Sequence, residues 1–193
     1  MKKTYLLTFL FSVSLTLYGQ SWQALLDSAL YYKGRDWQKS LNYLEEYEQN
    51  VKDEFGSADS LYAVVLNDLG MTAVGMDDYD IAEQYFFRSL TIQEKLYTEA
   101  NPLLYRTKGS LGFLYLREER YSESIQLLLE ADSGLLAWHG PNHDEYYWNH
   151  NYLGQYHLHV GEYAKAEAIF IQLKEQIQAH QGKDNPTYIN VLH

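Results

Sequence analysis

The sequence predicts an all-α protein, a right-handed α-solenoid of antiparallel helical hairpins. Three observations support this prediction: a skeleton that recurs every 42 residues, small residues at matched places within it, and a helical period in between. The skeleton is Leu-Gly, then eight residues, then an aromatic residue, and it occurs as "LGMTAVGMDDY" from Leu69, "LGFLYLREERY" from Leu111 and "LGQYHLHVGEY" from Leu153. Such internal repetition indicates an array of equivalent units that bury their apolar faces against each other.

Two further columns keep the same spacing. Three residues after each aromatic residue the chain has a small side chain, and four residues later it has a large apolar one. The aromatic column is Trp37, Tyr79, Tyr121 and Tyr163, the small column is Ser40, Ala82, Ser124 and Ala166, and the large apolar column is Leu44, Phe86, Leu128 and Phe170. Steps of three and four residues place these side chains on one face of a helix. We expect the columns to serve packing.

The boundaries between units carry helix-start signals. Asn101-Pro102 and Asn185-Pro186 combine an N-cap residue with proline at the first helical position, and Asp59 and His143 take the equivalent place in two other units. These signals predict first helices at about 60–75, 102–117 and 144–159, followed by second helices at about 79–97, 121–138 and 163–180. Gly75 and Gly161 are predicted to lie in the turns between them. The hairpins therefore span about 22–54, 60–97, 102–138 and 144–180, and a further helix is expected to start within 186–193.

This pattern resembles the tetratricopeptide repeat (TPR), in the 42-residue variant of kinesin light chains and many bacterial repeat proteins. The likeness covers about 21–193 and rests on the Leu-Gly pairs and the three columns. It implies a TPR superhelix that binds a protein or peptide along the concave face formed by the first helices, with asparagines holding backbone amides. The candidate contacts on that face are Asn67, Met71, Arg106, Phe113, Arg117, Trp148, Asn151, Gln155 and His159. Gly109 interrupts the asparagine column, and the two arginines favour an acidic or carboxylate-bearing partner.

The N-terminal residues 1–20, "MKKTYLLTFLFSVSLTLYGQ", predict a cleaved signal peptide. Two lysines precede an apolar stretch that is too short to span a membrane, and the small residue Gly19 follows it. We therefore expect an exported protein, periplasmic or extracellular, with no membrane insertion after cleavage. The final "NPTYINVLH" reads as half of a helical hairpin, which leads us to expect further polypeptide beyond His193. Exported bacterial proteins with this layout resemble ones that carry a caspase-like (CHAT) peptidase domain downstream, so a sensor segment of a larger effector is the alternative to a scaffold.

Composition narrows the partners and the chemistry. The formal net charge of −11 argues against nucleic acid as a partner, because phosphate binding needs an excess of lysine and arginine. The chain has no cysteine, which excludes thiolate nucleophiles and thiolate metal ligands within it. No nucleophile or phosphate-loop motif occurs, so we expect no enzymatic activity and no cofactor.

Seven histidines raise the question of a metal site. His139 and His143 flank Gly140-Pro141 and so do not share one helix face, while His157 and His159 point in different directions. His150 and His157 share a face but lack a third ligand in register. Because a zinc site needs three or four converging ligands, we expect none. The sequence does not predict the oligomeric state.

Overall fold

A computed structural model of the chain describes residues 22–97 and 101–182, and these form eight α-helices with no strand. The signal sequence at 1–20 and the helix expected within 186–193 lie outside the described residues. The helices are α1 (22–32), α2 (Trp37–Phe55), α3 (Ser60–Gly75), α4 (Tyr79–Leu96), α5 (Pro102–Arg117), α6 (Tyr121–His139), α7 (Asp144–His159) and α8 (Tyr163–Gln181). In the described part of the chain no helix is both long and apolar enough to span a bilayer.

Successive helices pack as hairpins, and the first helix of each hairpin also contacts the first helix of the next one. The pairs α3–α4, α5–α6 and α7–α8 are the hairpins, and α3 also contacts α5, which in turn contacts α7. The first helices therefore lie side by side on one surface of the array. This arrangement is an all-α solenoid, as the repeat predicts.

The N-caps explain why the first helices begin where the sequence predicts. The side chain of Asp59 accepts a hydrogen bond from the backbone N–H of Leu61 at 2.7 Å, and Asn101 accepts one from Leu103 at 2.9 Å. His143 takes the same role with its ring nitrogen Nδ1, which accepts from the backbone N–H of Glu145 at 3.2 Å. Each bond satisfies one of the N–H groups that a helix leaves without a partner at its start.

The turns within the hairpins correct one prediction. Gly75 is the last residue of α3 rather than a turn residue, and a Cβ atom there would lie 2.5 Å from the ring of Trp37. The left-handed backbone conformation falls instead on Asp77 (φ 59°), Glu119 (φ 60°) and Gly161 (φ 81°), which are 42 residues apart. Glycine tolerates this conformation best and aspartate better than most residues, whereas Glu119 adopts it without either advantage.

The large apolar column forms the centre of the hairpins. Phe86 and Leu128 have no exposed surface, and Leu44 is buried. The glycine of the Leu-Gly pair makes room for this column: a Cβ atom on Gly70 would lie 2.5 Å from the ring of Phe86. Where the small column has a serine, the hydroxyl joins the two helices of the hairpin. Ser124 Oγ donates a hydrogen bond to the carbonyl of Gly112 at 2.8 Å. The small and large apolar columns are therefore architectural, as the sequence predicts, whereas Tyr163 of the aromatic column is 68% exposed.

Buried tyrosines make the protein sensitive to alkaline pH. Burial raises the pKa of Tyr62, Tyr115, Tyr146 and Tyr152 to about 12, and the hydroxyls of Tyr62 and Tyr115 also donate to glutamates. A folded-state pKa above the ordinary value means that the native protein binds more protons than the unfolded chain. Stability from these groups is therefore complete below their ordinary pKa and is lost as the pH rises from there through the folded-state pKa of about 12.

We expect the urea midpoint of unfolding to fall progressively as the pH is raised from about 9 to about 11.5, together with the appearance of tyrosinate absorbance. Lys33, whose pKa is lowered by burial, acts in the opposite direction but is a single group. Tyr115→Phe removes one of the four hydroxyls and should make the fall shallower. A midpoint that does not change across this range would contradict the expectation.

Candidate functional site

A groove of about 930 Å³ lies on the surface formed by the first helices. It runs from the end of α1 across α3 and α5 to α7, so all four units of the described chain contribute to it. Its lining residues are Leu30, Lys33, Gly34, Arg35, Trp37, Asn67, Asp68, Met71, Arg106, Gly109, Ser110, Leu135, Asp144, Glu145, Trp148, Asn149 and Tyr152. A cleft of this volume is within the range that holds small ligands or a short peptide segment.

The charged residues of the groove compensate each other. Arg106 Nη2 forms a partly buried ion pair with Asp68 Oδ1, joining α5 to α3. The charge of Asp68 raises the pKa of Arg106, and that of Glu145 adds to the effect, so Arg106 stays cationic. Burial lowers the pKa of Lys33, an effect that Asp68 opposes and Arg106 reinforces. Three cationic and three acidic side chains line the groove, so its formal charge is balanced within a strongly acidic protein.

Two buried asparagines each present an oxygen that has no partner among the described residues. Asn67 on α3 and Asn149 on α7 are each 2% exposed, and the Oδ1 atom of each accepts no hydrogen bond. Asn149 is held by its Nδ2 group, which donates to the carbonyl of Leu128 at 3.1 Å. An unsatisfied buried oxygen costs free energy, and both residues line the groove, but the two oxygens themselves are covered by the protein, so a bound group would reach them only after the side chains turn.

Gly109 allows Asn149 to occupy its position. A Cβ atom at Gly109 would overlap the Oδ1 atom of Asn149, so any larger residue there would displace the asparagine. The sequence shows Gly109 as a gap in the asparagine column. In the folded chain that gap is filled by an asparagine from the next unit.

Aromatic side chains form the wall at the α7 end. Tyr152 stacks on Phe113 with ring centroids 4.4 Å apart and an angle of 18° between the rings. Burial raises the pKa of Tyr152 to about 12, while the charge of Arg106 lowers it, so this hydroxyl remains neutral at ordinary pH. Trp148 lies one turn earlier on α7 and also lines the groove.

Four of the nine residues proposed from the sequence line this groove: Asn67, Met71, Arg106 and Trp148. The other five do not line it: Phe113, Arg117, Asn151, Gln155 and His159. Phe113 supports the wall through its contact with Tyr152. Asn151 is 5% exposed and accepts a hydrogen bond from Gln155. His159 is the exposed last residue of α7.

The arginines do not offer two free positive charges, which corrects the reason given for an acidic partner. Arg106 is paired with Asp68 inside the groove. Arg117 is exposed at the end of α5, where it contacts Asp77 at 3.0 Å and the hydroxyl of Tyr79 at 3.2 Å. Charge alone therefore gives no preference for an acidic partner.

Sequence reasoning also missed groove residues that the repeat contains. Asp68, Ser110 and Tyr152 are 42 residues apart, and all three line the groove. This column follows directly after the asparagine column, so a shift of one residue in the chosen helix face would have found it. Asn149 and Glu145 belong to no such column, and only the folded chain brings them to the groove.

Histidines and a carboxylate converge at one place outside the helix interiors. His139, His143 and Glu145 place one possible ligand atom each within 4.8 Å of one another. His139 and His143 do not share a helix face, as the sequence predicts, but the chain turns at Gly140 and stacks the two rings with centroids 3.7 Å apart. Of the other histidines, His150 contacts Asp132 at 2.9 Å and His157 contacts Glu162 at 2.6 Å.

Comparison with known proteins agrees with the repeat. The family model described as Tetratricopeptide repeat matches residues 63–102. A search of curated proteins finds no significant match. Among solved structures, BtubC (BKLC) from P. vanneervenii superposes with a TM-score of 0.61 at 21% identity, over 82% of this chain and 64% of that one, so the chain spans less than two thirds of its length.

Two structures from Podosopora anserina are also similar in fold, and both are described as nearly identical TPR-like repeats of a kinesin light chain. One has a TM-score of 0.61 at 14% identity over 88% of this chain and 80% of that one. The other has a TM-score of 0.54 at 14% identity over 83% and 76%. At these identities the likeness concerns the fold. The chain therefore contains a tetratricopeptide repeat at residues 63–102, and its solenoid fold is that of the TPR-like structures.

Proposed function

We propose that the chain is an exported scaffold that binds an extended peptide segment of a partner protein in the groove. Tetratricopeptide repeats are protein-interaction modules, which supports the scaffold in general terms. The observation that carries the specific proposal is that Asn67 and Asn149 both line the groove and each has a buried Oδ1 atom without a hydrogen-bond partner, which a turn of the side chain would present to a bound backbone. An extended backbone has N–H groups free to donate, so it can satisfy these acceptors where a folded surface would not.

The balance of charge indicates how such a partner is recognised. The Arg106–Asp68 pair occupies the middle of the groove, with Lys33 and Glu145 on either side. A highly charged segment would leave one of these groups facing a like charge. A segment of low net charge with an apolar side chain for Trp148 and Met71 fits better, since these two side chains add apolar surface to the lining.

Export rests on the sequence of residues 1–20 alone, and periplasmic or extracellular location is part of the proposal on that ground. The alternative is that this chain is the sensor segment of a larger effector such as a CHAT peptidase. In that case the groove would bind the signal, and any catalysis would belong to another segment. Both versions place peptide binding in the same groove, so one experiment tests both.

Asn67→Ala should weaken peptide binding without weakening the fold. Peptides would first be selected with the wild-type protein from a display library of random unstructured peptides. For those peptides the variant should bind roughly tenfold more weakly, the cost of one buried hydrogen bond. Its urea midpoint should be unchanged or higher, because the substitution removes an oxygen that has no partner in the free protein. Calorimetric titration and urea denaturation would measure the two effects.

Asn151→Ala is the matched control. Asn151 occupies the same repeat column as Asn67, but it is bonded to Gln155 and does not line the groove. It should lose about 1 kcal/mol of stability and retain peptide affinity. If the library yields no peptide, or if Asn151→Ala weakens binding while Asn67→Ala does not, the proposed groove is wrong.

A further inference from the structure

The corner between α6 and α7 gathers three side chains from the end of one hairpin and the start of the next. α6 ends at His139, Gly140 turns the chain with a φ of 77°, and His143 is the N-cap of α7. The rings of His139 and His143 stack with an angle of 4° between them. Glu145 Oε2 lies 3.0 Å from His139 Nε2. From this arrangement we infer that His139, His143 and Glu145 form a binding site for a divalent transition-metal ion such as Zn²⁺.

The donor set suits this class of ion. Two imidazole nitrogens and one carboxylate oxygen are ligands that zinc accepts in proteins, with a fourth position left for water or another ligand. Imidazole also suits copper and nickel, whereas magnesium and calcium take oxygen ligands. The side chains of His139 and Glu145 are 20% and 24% exposed, so an ion from solution can reach them.

The distances require only side-chain movement. Ligand atoms about 2.1 Å from a tetrahedral ion lie roughly 3.4 Å from one another. The three atoms already lie within 4.8 Å of one another, and the His139–Glu145 pair is closer than the tetrahedral spacing. A nitrogen lone pair lies in the plane of its ring, so the two rings must rotate out of their parallel stack to point at one ion. Because the three atoms are already this close, we expect rotation about the side-chain bonds to bring their lone pairs to one ion.

His143 gives up one interaction when it binds the ion. Its Nδ1 atom accepts the backbone N–H of Glu145 at 3.2 Å, and a neutral imidazole has only one lone pair in the ring plane. Metal binding therefore replaces the N-cap hydrogen bond of α7. This exchange lowers the affinity relative to that of a site with three free ligands.

The site is connected to the groove through Glu145. This residue lines the groove, and its charge contributes to the raised pKa of Arg106. A bound cation would neutralise Glu145 and link α6 to α7 across the boundary between two hairpins. The site itself does not depend on peptide binding, so failure of either proposal leaves the other open to its own test.

Untagged protein would be titrated with ZnCl₂ and, separately, with MgCl₂, using calorimetry and thermal unfolding. We expect one zinc ion to bind per chain and to raise the melting temperature, because a ligand that binds only the native state stabilises it. Magnesium should do neither. Absence of zinc binding by the wild-type protein would overturn the inference.

His143→Asn is the sharpest variant. Asparagine caps the equivalent helix α5 as Asn101, so the variant keeps the cap while it removes the imidazole. Together with His139→Gln, it removes two of the three ligands, so both zinc binding and the rise in melting temperature should be lost. His157→Gln, which alters a histidine paired with Glu162 elsewhere on α7, should bind zinc as the wild type does. Zinc affinity that survives His143→Asn, or that is lost in His157→Gln, would refute the site.

Discussion

Phe86→Ala is expected to destabilise the protein by about 3–5 kcal/mol, the range measured when a fully buried aromatic side chain is removed from a core. Phe86 has no exposed surface and packs against the buried Leu-Gly helix α3, whose Gly70 lacks a Cβ atom where the ring lies. Alanine would leave a void between α3 and α4 that neither helix can fill, since both are also fixed by neighbouring hairpins. Urea denaturation followed by circular dichroism would show a large fall in midpoint.

Phe87→Ala is the control for this expectation. It makes the same chemical change on the same helix, but Phe87 is 48% exposed. Its effect should stay within about 0.5 kcal/mol, as for other surface substitutions. Equal losses in the two variants would mean that the large apolar column is not the centre of the hairpin, and that the repeat has been assigned to the wrong helix face.

The helices were predictable because their signals are local. Each unit contains a cap residue such as Asn101, then a helical period and then a turn. Because the same signals recur in several units, the register of each helix is supported more than once. Only one turn detail failed. Gly75 looked like the turn residue because glycine favours turns, but its missing side chain accommodates Trp37 from the preceding unit.

Only four of the nine residues proposed from the sequence line the groove, because the position of a groove residue depends on contacts between units as well as on the local sequence. The repeat shows which columns recur but not how far each helix is rotated about its own axis, and adjacent residues on a helix point in directions about 100° apart. The column of Asp68, Ser110 and Tyr152 was missed by one residue for this reason. Asn149 was missed because its place depends on the space at Gly109, in another unit. The pairing of His139 with His143 likewise depends on the direction of a turn.

The Arg106–Asp68 ion pair could not be predicted from the sequence, because the two residues are 38 positions apart and lie on different helices. We expect Asp68→Asn to destabilise the protein by about 2 kcal/mol, since it leaves the Arg106 guanidinium partly buried without its carboxylate. The side chains of Arg106 and Asp68 are only 30% and 15% exposed, so solvent replaces little of the lost interaction. Glu145 is the remaining carboxylate that raises the pKa of Arg106, and it limits the loss.

Asp77→Asn tests whether burial is the cause. Asp77 pairs with Arg117 at 3.0 Å, but these side chains are 70% and 40% exposed. Asparagine also tolerates the left-handed conformation of this turn residue (φ 59°), so the substitution adds no backbone strain. Urea denaturation should show a change of less than about 0.5 kcal/mol. Equal effects for the two variants would show that Arg106 is solvated like a surface group, and the groove would then be too open to give its asparagine acceptors an advantage over water. A large effect at Asp68 alone would mean that the groove is a partly dehydrated site, in which a hydrogen bond to an unpaired oxygen such as that of Asn67 contributes measurably to binding.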